Sequence, residues 1–130
     1  MSERPAILGR EVAAIFLGGA VGATARAVLV EVFGDAAPGW PWVTFGVNVA
    51  GALLLGYLIT ALPPATRRRP LLTTGFCGAF TTFSTVQVEL LKMLEAGRAG
   101  LALAYLGVSV CVGLLAVQLG AALALAGEPR

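Results

Sequence analysis

The chain has no histidine. That removes the commonest metal ligand and the side chain most suited to shuttling protons near neutral pH. Charge is scarce: Lys and Arg number 9 and Asp and Glu 7 among 130 residues, 12% in all. A soluble domain of this size carries about twice that fraction. The two cysteines, Cys77 and Cys111, lie far apart and each sits inside an apolar run. That placement argues against a disulfide or a metal pair and for two small hydrophobes. There is no nucleophile–base pair, metal-ligand cluster or phosphate-binding loop, so an enzyme is not expected. No internal repeat is evident.

What is present is apolar. Hydrophobic residues make up 58% of the chain and its mean hydropathy is +0.87, so the bilayer is its natural solvent. A helix needs about 20 apolar residues to cross about 30 Å of hydrocarbon. Four stretches qualify, residues 12–32, 45–62, 71–88 and 101–126, and the last three contain no Asp, Glu, Lys or Arg. The helices carrying them are expected at about 12–33, 45–62, 71–94 and 101–126. They use most of the chain, which leaves no room for a soluble domain. The first span does not read as a signal peptide. It is long, lacks a clear small-residue cleavage site and is followed by further spans. The expected fold is therefore an all-α integral membrane protein, one domain of four transmembrane helices.

The connections are short. A turn-rich loop, Gly34-Asp35-Ala36-Ala37-Pro38-Gly39-Trp40-Pro41-Trp42, follows the first span, and its two tryptophans suit an interfacial anchor. Pro63 and Pro64 stop the second helix. Arg67-Arg68-Arg69-Pro70 forms the next loop, and residues 96–100 separate the last two helices. Four spans put both termini on one side. Arg4, Arg10, Arg67, Arg68, Arg69 and Arg130 lie there, against Lys92 and Arg98 opposite and Arg26 inside the first span. Six against two or three places the termini in the cytoplasm by the positive-inside rule.

The third span carries the most information. Gly75-Phe76-Cys77-Gly78-Ala79-Phe80-Thr81-Thr82-Phe83-Ser84-Thr85 sets two glycines and a hydroxyl-rich run inside an uncharged, bilayer-length segment. Lipid offers backbone groups no hydrogen bonds, so irregular backbone at that depth survives only inside protein or along a cavity. A helix broken there frees carbonyls that can bind a hard cation. The hydroxyls and the positive edges of Phe80 and Phe83 could instead receive a small anion. Thr44 and Asn48, four residues apart, share a face of the second helix. They read either as glue between helices or as pore lining. Tyr105 and Ser109 repeat at helical spacing on the fourth helix, with Gly113 next on that line, as a polar track or a packing seam. Gly18, Gly22 and Arg26 form one stripe, the glycines suiting close helix packing. Arg26 costs about 2.5–3.5 kcal/mol at mid-bilayer on insertion scales. It either snorkels to the interface or provides positive charge in an aqueous vestibule. Glu89 closes the third span and reads as a snorkelling end charge or a functional carboxylate, its terminal position favouring the former.

Taken together, these residues resemble the small bacterial fluoride channel family known as Fluc or CrcB. The matching pieces run from Gly18 to Arg26, from Thr44 to Gly51 and from Gly75 to Thr85, with Glu89, in the family's order and across essentially the whole chain. The resemblance implies an antiparallel, dual-topology dimer whose third helix is broken at its centre, with two fluoride pores. It implies a structural Na⁺ at the dimer centre, held by the backbone carbonyls of Gly78 and Thr81. It assigns Asn48, Phe83, Thr44, Ser84, Thr85, Tyr105 and Ser109 to the fluoride pore and Arg26 to its vestibule. The family commonly has a second pore phenylalanine three residues after the first. Here that position is Val86, followed by Gln87.

The expected function is passive, selective fluoride export across a bacterial inner membrane. The expected partners are fluoride, the lipid bilayer, and a second copy of the chain or an oppositely inserted relative, with no nucleic acid. The relative enters because a biased charge count favours one orientation. Two other readings stand beside this one. A small multidrug-type, proton-coupled exporter would want a mid-span carboxylate, whereas Glu11, Glu31 and Glu89 lie at span ends. A structural membrane subunit that needs a paralogous partner to form the pore would have no need of Asn48 and the hydroxyl-rich break together.

Overall fold

A computed structural model of the chain describes residues 3–34 and 39–129. Residues 35–38 of the first loop, and Arg130 of the charge count, lie outside the described residues. Helix α1 runs Glu3–Phe33, starting well before residue 12, and α2 runs Trp42–Ala61. The third span is not one helix. A short α3 (Arg68–Pro70) leads into a π-helix (Leu71–Cys77) and then α4 (Gly78–Phe80). The chain is non-helical at 81–83 and resumes as α5 (Ser84–Glu95). Helix α6 runs Ala99–Ala126. Helices α1, α2 and α6 are each long and apolar enough to cross a membrane. No strand occurs among the described residues.

Local chemistry fixes the ends of these elements. The chain turns extended at Leu62 ahead of Pro63. There Nη1 of Arg69 donates to the Leu62 carbonyl at 2.8 Å, pairing one of the acceptors a helix end leaves open. Between α5 and α6 a Schellman turn forms. Gly97 adopts φ +73°, its N–H bonds the Leu94 carbonyl, and the Arg98 N–H bonds the Met93 carbonyl.

Two backbone-to-backbone contacts hold the bundle. Helix α1 lies against the π-helix and α4, where a Cβ on Gly18 or Gly22 would collide with the carbonyl of Leu71 or Phe76. Helix α2 lies against α6, where Gly56 and Gly120 approach the carbonyls of Val117 and Leu53. Small residues permit that closeness, and dispersion between backbones replaces the hydrophobic drive that lipid does not supply. The interior is thin: Val86, Met93, Ala102 and Tyr105 form its main buried cluster. Large apolar side chains such as Phe16, Leu103 and Leu115 face outward, as a lipid-facing surface requires.

Candidate functional site

The break in the third span is held from both sides. Thr81 takes an extended conformation (φ −77°, ψ 154°). The Asn48 amide then pairs with Thr82 in both directions: Nδ2 donates to the Thr82 carbonyl at 3.0 Å, and the Thr82 N–H donates to Oδ1 at 2.8 Å. The amide thus replaces the helical bonds that the break removes. From α1, Nε of Arg26 donates to the Ala79 carbonyl at 3.0 Å. A hydrogen bond to a charged group contributes about 1.5–3 kcal/mol, comparable to the cost of placing the cation there. Thr81 returns its hydroxyl to the Cys77 carbonyl at 2.9 Å. These bonds use the carbonyls of Cys77, Ala79 and Thr82; the carbonyls of Gly78 and Thr81 take none of them.

Thr82, to which the sequence assigned no role, lies just before α5 and caps its first turn. Its Oγ1 accepts from the Thr85 N–H at 3.2 Å, donates to Thr85 Oγ1 at 3.0 Å and lies 3.4 Å from Ser84 Oγ. The hydroxyl satisfies one of the orphan N–H groups at a helix start. The result is a connected row, Asn48–Thr82–Thr85, with Ser84 at its exposed edge.

One turn further along the same two helices is a second row. Glu89 is not a snorkelling end charge. It is half-buried and accepts two short hydrogen bonds, from Thr44 Oγ1 and from the Tyr105 hydroxyl, each at 2.6 Å. Thr44 and Tyr105 are themselves buried. Two charge-assisted bonds together offset a desolvation cost of several kcal/mol for a buried carboxylate. Thr44 and Asn48 share one face of α2, and Thr85 and Glu89 share one face of α5, so the rows lie about 6 Å apart along the helices. The signal for Glu89 was its i+4 spacing from Thr85; its two donors come from helices that sequence distance does not connect.

A cavity of about 480 Å³ opens beside these rows, lined by Thr44, Thr85, Glu89, Trp40, Trp42 and Lys92, among others. The two tryptophans differ. Trp42 is exposed, as an interfacial anchor would be, while Trp40 turns inward and meets the Tyr105 ring edge-on at 5.3 Å. Val86 is buried in the cluster with Tyr105. Three residues expected in the site stand apart from its hydrogen bonds. Phe83 is 69% exposed at the start of α5. Ser109 Oγ is buried with no partner among the described residues. Arg26 is tied to the break.

The arrangement presents hydroxyl and amide groups in two rows beside this cavity, with no group of three or more metal-binding side chains among the described residues. Its chemistry is that of recognising and passing a small polar species. The family model described as "CrcB-like protein, Camphor Resistance (CrcB)" matches residues 13–121. "Fluoride-specific ion channel FluC 1" of Mycobacterium bovis is 54% identical over 118 residues, 88% of this chain and 89% of that protein. The protein of that name in Mycolicibacterium paratuberculosis is 54% identical over 114 residues, 85% of this chain and 86% of its own length. "Fluoride-specific ion channel FluC 2" of Streptomyces avermitilis is 43% identical over 103 residues, 76% of this chain and 65% of its own length. The glycine-lined contacts, the broken third span and the paired polar rows thus belong to a chain that is a member of the CrcB family.

Proposed function

We propose that the chain is a fluoride-selective ion channel that lets fluoride leave the cell passively. The names of its relatives support this, and the observation that carries the reading is the double row of donors along α2 and α5. A small anion gives up its water only where other donors replace it. Asn48 keeps one amide hydrogen beyond the one bonded to Thr82. The hydroxyls of Ser84, Thr85, Thr44 and Tyr105 extend the path, with Ser109 one turn beyond Tyr105 on α6. Glu89 orients Thr44 and Tyr105 by accepting their hydrogen bonds. An arriving anion exchanges with the carboxylate for those two hydroxyls. Phe83 offers its ring edge, and Arg26 adds positive charge beside the break. Fluoride enters cells as the neutral acid and ionises inside, so a passive pore suffices for export. The relatives give no support to the exporter or purely structural readings.

The exposure of Phe83 and Ser84 at mid-span fits a second subunit covering them, either another copy or an oppositely inserted relative. The carbonyls of Gly78 and Thr81, unused by the bonds that hold the break, suit Na⁺, a hard cation that prefers oxygen ligands. Gly78 is exposed and a Cβ there would have only the Thr73 carbonyl, at 4.0 Å, within reach. That leaves room for a shared site between subunits. The membrane is the bacterial inner membrane, and the termini are cytoplasmic.

Liposomes holding only this purified chain test the reading, with chloride as the control anion. Fluoride efflux without chloride efflux is expected. No efflux from folded protein, either alone or with an oppositely inserted relative, overturns it.

A further inference from the structure

Three observations converge on Trp40. Its indole Nε1 is buried and has no hydrogen-bond partner among the described residues. A buried donor left unpaired costs about 1–3 kcal/mol, which natural structures rarely tolerate without an unseen partner such as an ion or water. The residue lines the same cavity as Thr44, Thr85 and Glu89. Its ring packs edge-on against Tyr105 and onto the cluster that contains Val86. Val86 is aliphatic and only 5% exposed, so it can offer no aromatic edge to an anion. Trp40 therefore sets an aromatic ring from the first loop on the cluster to which Val86 of α5 belongs.

We propose that Trp40 is a selectivity-determining residue of the conduction path, its indole N–H a fixed hydrogen-bond donor to dehydrated fluoride beside Thr44, Thr85 and Glu89. The inference rests on the fluoride-channel reading. An indole N–H is a stronger donor than a phenyl C–H edge, so this ring offers an anion what the aliphatic Val86 does not. The donor is closed to bulk water and favours an anion that has shed its hydration shell. The packing against Tyr105 and Trp42 holds the ring in place.

The test replaces Trp40 with β-(3-benzothienyl)alanine, which keeps the bicyclic shape and exchanges N–H for sulfur, and separately with Phe. Phe16→Leu, on the exposed face of α1, is the control. Fluoride efflux from liposomes is expected to fall about tenfold in the benzothienyl protein, the effect of losing one hydrogen bond of about 1.4 kcal/mol. Its elution as folded protein should be unchanged, and Phe16→Leu should conduct as the unaltered chain does. In a second measurement, the ¹⁵N-indole signals of the two tryptophans are followed as fluoride or chloride is added. The Trp40 signal is expected to move with fluoride and not with chloride. Unchanged efflux in the benzothienyl protein, or an indole signal indifferent to fluoride, overturns the assignment. If the unaltered chain passes no fluoride, with or without a relative, the channel reading fails, and the indole titration still decides whether Trp40 binds the anion.

Discussion

At the scale of single residues, the site depends on polar groups that each serve two purposes. Asn48 pairs with both backbone groups of Thr82. The Asn48→Asp change keeps one acceptor but turns the donating nitrogen into an oxygen facing the Thr82 carbonyl. Fluoride efflux is expected to disappear, and thermal unfolding in detergent should report a loss of about 1–3 kcal/mol from the unpaired carbonyl and the repulsion. Efflux near the unaltered rate would remove Asn48 from the path. Tyr105→Phe removes one of two hydroxyls on Glu89 and is expected to cost about 1.5–3 kcal/mol while slowing efflux. A conducting, equally stable Tyr105→Phe protein would leave the second row without a role. Much of this was legible in the sequence. The spacing of Thr44 from Asn48, and the hydroxyls around Phe83, are visible in one dimension. The environment of Glu89 was not, because its partners come from α2 and α6 and only the folded bundle brings them to one carboxylate. Trp40 and Trp42 look alike in the sequence, yet one faces out and the other packs on Tyr105.

At the scale of elements, the close approach of α1 to the π-helix positions the break. A methyl group on Gly22 would meet the Phe76 carbonyl, which is backbone and cannot swing aside. Gly22→Ala is therefore expected to push α1 away, lower the yield of folded protein and cost about 1–3 kcal/mol or more. On α6, a methyl group added at Gly107 would have no atom within 4 Å, so Gly107→Ala should stabilise by about 0.4–1 kcal/mol through reduced backbone freedom of the unfolded chain. Opposite signs of the change in melting temperature check both. Equal effects would mean that glycine at 22 is a matter of propensity rather than of contact. The glycine stripe on α1 was readable as a packing face from its spacing. The π-helix was not readable, since no residue pattern in Leu71–Cys77 distinguishes it from an α-helix before α1 is packed against it.

At the scale of the whole molecule, charge decides how the bundle enters the membrane. The arginines of the second loop outweigh the opposite side, and one of them is already committed: Arg69 caps the end of α2 through the Leu62 carbonyl. Arg67 and Arg68 are exposed, so they are free to act on orientation without a cost to the fold. Each basic residue near a membrane surface contributes about 1 kcal/mol of attraction to an anionic leaflet, enough in pairs to move a balanced insertion by more than tenfold. The bias observed predicts a single orientation, with the C-terminus in the cytoplasm, and hence a need for an oppositely inserted partner. Replacing Arg67 and Arg68 by Gln should release a second population with the C-terminus outside. Fusing the C-terminus to a fluorescent protein that matures only in the cytoplasm, and in parallel to a phosphatase active only outside, reads both populations. The unaltered chain is expected to give fluorescence alone, and the double variant to give both signals. Both signals from the unaltered chain would mean that it already inserts two ways and can pair with itself.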